Sequence, residues 1–402
     1  VEEREGSGVI ERYKDRAIHD VWNPATIYRR WLEVEIAYVR EIGGAEVAEA
    51  LESVKPPSPA QVNYYERETG HDVAAFLVAL DKNVQAKARK GAGGDLPDTV
   101  WNRVRSSLHF RLTSSDVVDT ALALGVLRSR LVVEDRVANL MGVLEAFANS
   151  ISAWEITLGR THGQLAAPMP ADHRWRVLGE MLDRAWTRAD AGFLWMDVGK
   201  LSGPVGLADP SEGRALQNLG LRDTTATQIV PRDRLAHWAH CLAELATVCE
   251  AIVTQVWLLA QAGVGELRVE PNGTVGSSAM PHKVNPVIAE NVRGLARMAR
   301  SLAETLQLGI VQWGEHDLAH SSVERVSVPD LLHLVCTIVS RTATLVSGVS
   351  WVDPGRPADY RDSSEDLRAL QASGRAYVDA HAALTELYRD GKISYTTTEE
   401  GQ

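Results

Sequence analysis

The chain has 402 residues, 45% hydrophobic and 24% charged, an ordinary globular composition with enough length for a large core or several domains. Its formal net charge of −11 argues against a nucleic-acid binder, which needs a basic face. Small anionic substrates stay open, because a few local cations reverse the field inside a cleft. Cys241, Cys249 and Cys336 are an odd number without C-x-x-C spacing, so they read as buried thiols in a reducing compartment. The charged opening "VEEREGSGVIERYKDR" has no signal-peptide pattern. The most apolar tract, near "CLAELATVCEAIVTQVWLLAQAGVG", is broken by Glu244 and Glu250. Neither a leader nor a membrane span is expected, and the protein is placed in the cytoplasm.

Short helices come first. In "NPATIYRRWLEVEIAYVREIGG", Asn23 is placed to cap a helix with Pro24 at its first position. Ile27, Trp31, Val34, Tyr38 and Ile42 recur at helical spacing, and Gly43-Gly44 ends the run. Residues 88–98 read as a loop. From Ser115 to Leu158 there is no proline and the apolar pattern stays helical, which predicts about 66 Å of helix. Further long helices are predicted over 170–198, 232–262, 286–312 and 321–350, with no strand pattern of useful length. The fold class is therefore all-α, an elongated bundle of long helices, and so many apolar faces on few rods imply association between subunits. Composition turns polar from Trp351, where a short amphipathic helix is expected around 365–389. Three parts follow: an N-terminal helical domain (1–112), a central long-helix domain (113–350) and a short C-terminal helical segment (351–402).

Polar segments punctuate these helices. "LHFRLTSSDVVDTALAL" places Thr113, Ser114, Ser115 and Asp116 where the longest helix begins, as either an anion site of hydroxyls and free N–H groups or a plain N-cap. In "LGRTHGQLAAPMP", Arg160, Thr161, His162 and Gln164 read as the end of one helix before another starts. His162 is there a general acid or base, or a capping or solvent-facing ring. "GSSAMPHKVNP" offers Lys283 and Asn285 as carboxylate grips and Ser277 as base or nucleophile. Glu290, seven residues beyond Lys283 and about two turns into the next helix, is placed to orient a histidine. Two anion grips, one acid and one base suit a dicarboxylate: proton removal beside a carboxylate, with expulsion of a leaving group and several donors on the resulting dianion.

"GSSAMPHKVNP", "TSSDVVDTAL" and "GRTHGQ" resemble the three shared segments of the fumarase/aspartase superfamily. "ERYKDRAIHDVWNPATIYRRWLEVEIA", "GHDVAAF", "KLSGPVGLA", "TQIVPRDRLAHW" and "HSSVERVSVPD" are similar to its adenylosuccinate lyase branch, over about residues 9–350. The resemblance implies a homotetramer around a central helical bundle, active sites shared by three subunits, and fumarate release by β-elimination in purine nucleotide biosynthesis. It implies no metal and no organic cofactor, while the acidic charge and the interrupted apolar tract lead us to expect no nucleic-acid or membrane partner. By position, Ser277 matches the catalytic base, His162 the acid that protonates the leaving nitrogen, and Glu290 its partner. Thr113, Ser114, Lys283 and Asn285 match the ligands of the fumaryl carboxylates, and Lys283 counts among the catalytic groups. Gln228 matches a succinyl contact and His71 a second histidine near the leaving group. Arg12, Tyr13, Ser321 and Arg325 match positions that hold the nucleotide phosphate.

The departures fall on the leaving-group half. His316, in "EHDLAH", stands where the branch carries an arginine, so an imidazole replaces a permanently charged bidentate fork. Arg111 occupies a usually small position, Gly70 one where arginine or asparagine is common, and Leu165 one that is usually polar. The C-terminal part is shorter than the branch's third domain. These departures admit a second expectation: a specialised superfamily lyase with another leaving group, such as a nitrosuccinate lyase, or a carboxymuconate cycloisomerase-like enzyme.

Overall fold

The structure is a computed structural model, described here for residues 8–90, 96–152, 155–207, 210–270 and 285–352. Among these there are twelve α-helices and six short strands, with seven helices preceding the first strand. The N-terminal helices are α1 (Arg16–Trp22), α2 (Pro24–Gly43), α3 (Ala45–Glu52), α4 (Pro59–Thr69), α5 (Asp72–Lys90) and α6 (Asp98–Ser107). Asn23 caps α2 through its side chain, with Pro24 at the first position, and Gly44 ends it at φ 84°. Ser58 and Gln61 form a reciprocal capping box on α4. Trp31, Tyr38, Phe76, Leu80 and Trp101 gather these helices into one buried cluster, with Trp31 edge-on to Phe76 at 5.4 Å.

Five long helices follow: α7 (Ser114–Ser150), α8 (His173–Leu194), α10 (Asp233–Leu259), α11 (Val287–Gln307) and α12 (Leu318–Ser347), with the short α9 (Pro210–Asn218) between α8 and α10. By length and hydropathy alone α10 and α12 would pass for membrane spans, with mean hydropathies of 1.5 and 1.2. Yet 56% and 72% of those windows are buried within the chain, as in core helices. Cys241, Cys249 and Cys336 are buried free thiols.

Two expectations are corrected. The helix predicted to reach Leu158 stops at Ser150. The chain instead forms an antiparallel hairpin of β1 (Ile156–Thr161) and β2 (Gln164–Pro170). Pro168 and Pro170 break helix on one side, while Ile156 and Thr157 are β-branched on the other. His162, expected at a helix end, sits in the turn. Second, Glu290 lies in the first turn of α11, which begins at Val287, and not two turns in. Two further small sheets pair β3 (Val198–Gly199) in parallel with β4 (Arg222–Asp223), and β5 (Leu267–Val269) antiparallel with β6 (Val349–Trp351).

The chain divides into two compact units. The first is Val1–Ala138, Arg184–Glu250 and Val292–Arg341; the second is Asn139–Asp183, Ala251–Asn291 and Thr342–Gln402.

Candidate active site

The first unit gathers several of its site residues at the N-terminus of α7. Two non-glycine residues just before it, His109 and Arg111, have positive φ of 54° and 64°, each costing of order 1 kcal/mol or more. His109 is held there by the fully buried Glu35, which accepts from its backbone N–H at 2.9 Å and lies 2.7 Å from its ring Nδ1. The exposed Arg111 stacks its guanidinium on Phe110, 5.1 Å from the ring centre. The twist turns Thr113 and Ser114 into the start of α7.

Buried charges fix that start. Asp116 accepts from the Thr113 N–H at 2.6 Å and the Gly203 N–H at 3.2 Å, and pairs with the fully buried Lys200. Burial still pushes the Asp116 carboxyl above its usual pKa, although Lys200 opposes the shift. One turn on, Asp119 accepts from the Val230 N–H at 2.8 Å and takes a two-pronged grip from Arg232 at 2.8 and 2.9 Å. Arg232 also grips Glu324 of α12 at 2.6 and 3.0 Å. Burial opposes the Arg232 charge, but Asp119 and Glu324 together hold its pKa above the ordinary arginine value. Burial pushes Glu324 upward.

This frame brings five predicted residues together. Gln228 Nε2 lies 3.4 Å from the Thr113 hydroxyl. Ser114 Oγ is 3.4 Å from Nε2 of His71, which sits at the N-terminus of α5. Nδ1 of His71 is 3.2 Å from Asp72, whose other oxygen is 2.7 Å from Arg325 of α12. So an unbroken series of polar contacts runs from Ser114 through His71 and Asp72 to Arg325. Ser321 lies one turn before Arg325. His316, in the loop before α12, has its Nδ1 buried without a partner among the described residues. The neighbouring Thr227 hydroxyl donates to the Glu315 carbonyl at 2.8 Å. Gly206, at φ 76°, lets the "KLSGPVG" loop press on this segment; a Cβ there would fall 2.0 Å from the Ala226 carbonyl oxygen.

Arg12 and Tyr13 form a short 3₁₀ turn beside α12, where Arg341 lies over the Tyr13 ring at 5.1 Å and donates to the Arg12 carbonyl at 3.2 Å.

The second unit holds the remaining described site residues. His162 and Gly163 are the two turn residues between Thr161 and Gln164, both with positive φ, 52° and 76°. That is the signature of a type I′ hairpin turn, and it presents an exposed His162 at the tip. Asn285 is exposed just before α11, and Glu290 is exposed in its first turn. Ser277 and Lys283 lie outside the described residues.

Three supports were not read from the sequence: Asp72, the Asp116–Lys200 pair and the Asp119–Arg232–Glu324 network. Asp72 was visible beside His71 in "GHDVAAF". The other two join segments far apart in sequence, and no local signal marks them.

A family model described as a lyase matches residues 47–300. The chain is 34% identical to the adenylosuccinate lyase of Thermotoga maritima over 336 residues, covering 80% of this chain and 73% of that one. It is also 34% identical to the adenylosuccinate lyase of Synechocystis sp. over 361 residues, covering 85% and 78%. In fold it matches the crystal structure of fumarate lyase from Mesorhizobium sp. BNC1 with a TM-score of 0.73 at 18% identity, covering 95% of this chain and 89% of that one. The chain therefore belongs to the fumarase/aspartase superfamily of lyases, and within it to the part that includes adenylosuccinate lyase.

Proposed function

We propose that the protein releases fumarate from an N-succinyl substrate, with adenylosuccinate as the first candidate. The observation that carries this is the joint presence of the Thr113–Ser114 anion grip, with His71 and Gln228 against it, and the similarity to adenylosuccinate lyases over most of the chain.

In this reading Ser277 takes a proton from the carbon beside a carboxylate. The electron pair of that C–H bond becomes the new C=C bond as the C–N bond breaks. The departing nitrogen takes its proton from His162, with Glu290 as its partner. Thr113, Ser114, Lys283 and Asn285 hold the carboxylates while the dianion forms, and donors already in place lower its energy most. Gln228 holds the succinyl portion. His71, whose Nδ1 accepts from the Val73 N–H at 3.1 Å, stands near the leaving group. Arg12, Tyr13, Ser321 and Arg325 hold its anionic end, with Arg111 and His316 adding to the same region.

The reading includes a homotetramer with shared sites, purine nucleotide biosynthesis, a cytoplasmic setting, reliance on protein groups alone, and the division of the chain at 112 and 350. Exposed apolar side chains at Leu308, Val311, Trp313 and Leu318 support association between copies.

A second reading keeps the elimination and changes the leaving group. It draws on Arg325, which already faces Asp72 at 2.7 Å, and on His316 standing where the resemblance expects arginine. The test is a steady-state comparison of adenylosuccinate with smaller N-substituted aspartates, followed as fumarate. If adenylosuccinate gives the higher kcat/KM, the first reading holds; a smaller amine turned over faster replaces it with the second. Full activity in Ser277→Ala would remove the assigned base.

A further inference from the structure

His162 projects from a hairpin tip in a backbone conformation that few residues favour, so something must hold the hairpin. Its hydrogen-bond ladder is not uniform. Leu158 pairs with Pro168 and Arg160 with Leu165, so two residues of β2 face the single Gly159 of β1. Such a bulge twists the ladder locally and re-aims the side chains beyond it. Thr157 and Arg160 flank it, three residues apart, a spacing that puts side chains on opposite faces of a flat strand. Here both reach one carboxylate. The Thr157 hydroxyl donates to Glu266 Oε2 at 2.6 Å, and Arg160 Nη2 donates to Glu266 Oε1 at 2.9 Å.

Glu266 has a firm base. It is 1% exposed and stands directly before β5. Its N–H donates to the Leu259 carbonyl at the end of α10 at 3.0 Å, and its own carbonyl accepts from Val352 N–H, just past β6, at 3.0 Å. A buried carboxylate with both oxygens committed to one strand costs desolvation energy that nothing in the hairpin's own ladder requires.

We propose that Glu266 is a positioning residue for His162: by gripping Thr157 and Arg160 on either side of the bulge, it fixes the angle at which the hairpin tip delivers the imidazole. The inference rests on His162 being the general acid of the proposed elimination. Proton transfer to a leaving nitrogen needs the ring within hydrogen-bond reach, and small displacements there cost rate rather than binding.

The test is a double-mutant cycle on the full-length protein, with Glu266→Gln made in the wild type and in His162→Ala. The expected result is a kcat lower by about 10–100-fold in the wild type with KM changed by less than about threefold, and less than about twofold further loss in His162→Ala. An equal loss in both backgrounds, or none in either, overturns the proposal. Thr157→Val removes one arm of the grip and carries the same test if Glu266→Gln fails to fold; Thr157→Ser should behave as wild type. Amide exchange of the segment 158–166 separates this inference from the general-acid reading. If His162→Ala keeps full activity, the general acid is wrong, and exchange then decides the anchor. Faster exchange confined to that segment in Glu266→Gln supports it, and unchanged exchange overturns it.

Discussion

Replacing Arg232 by methionine keeps an unbranched apolar stem and removes the charged guanidinium. In the native protein this one guanidinium makes four hydrogen bonds to two buried carboxylates, Asp119 on α7 and Glu324 on α12, and a fifth to the Val230 carbonyl at 2.7 Å. Without it, two buried carboxylates are left with no counter-charge from that side. Removing one partner of a buried ion pair costs about 3–5 kcal/mol, so a loss of at least about 4 kcal/mol is expected at pH 8. The loss should shrink toward pH 5. Folded Glu324, which burial already raises and Arg232 no longer opposes, would then hold its proton more tightly than in the unfolded chain, and a carboxyl with a raised folded pKa loses stability as pH rises. Urea unfolding followed by tryptophan fluorescence, at matched protomer concentration, measures both effects. Adding Asp119→Asn and Glu324→Gln to Arg232→Met should recover part of the loss. A cost under about 1 kcal/mol at pH 8, or one that grows as pH falls, would refute the reasoning that this network clamps the α7 and α12 ends of the site.

Three further outcomes follow from single residues. His333 is fully buried, its Nδ1 accepts from the Asp15 N–H at 3.0 Å, and burial lowers its pKa to about 4, while Asp330 and Asp15 oppose the shift. Its folded pKa is depressed, so the stability it contributes is present above pH 6.5 and lost as pH falls toward 4. Wild type should lose about 2 kcal/mol more than His333→Gln between pH 8 and pH 5 in urea melts. Gly206→Ala should destabilise by about 2 kcal/mol and raise KM several-fold, because a side chain there displaces the segment carrying Gln228; unchanged KM in initial-rate assays would contradict that. His162→Asn should raise stability by about 0.5 kcal/mol, since asparagine suits the first position of a type I′ turn, and lower kcat by about 100-fold or more. A variant that is active, or less stable by calorimetry, would count against the turn or the acid.

Much of this was legible in the sequence, for local reasons. Asn23, Pro24 and Gly43-Gly44 bound α2 because capping and chain reversal depend on a few neighbouring residues. Thr113–Ser114 stand at the start of α7 for the same reason. The hairpin around His162 was missed because no clear alternation marks "ITLGRT" and "QLAAPMP" as strands. The usable signal was a two-residue X-Gly turn between a β-branched run and a proline-bearing one. The charge networks were illegible because their partners are far apart: Lys200 is 84 positions from Asp116, and Glu324 is 92 from Arg232. Only packing brings such pairs together, and burial then makes them costly to break. The departures at Arg111 and His316 were visible as letters. The structure adds that Arg111 holds a strained backbone and that His316 buries a nitrogen unpartnered among the described residues.

The central claim is cleavage of a C–N bond with fumarate as product. It is tested most directly by carbon-13 NMR of the protein with adenylosuccinate labelled in its succinyl carbons. The account predicts that the labelled signals convert to those of fumarate, one for each AMP formed, and that Ser277→Ala and His162→Ala slow the conversion by about 100-fold or more. Labelled adenylosuccinate that stays intact at stoichiometric protein, while the protein is folded and assembled, would contradict it.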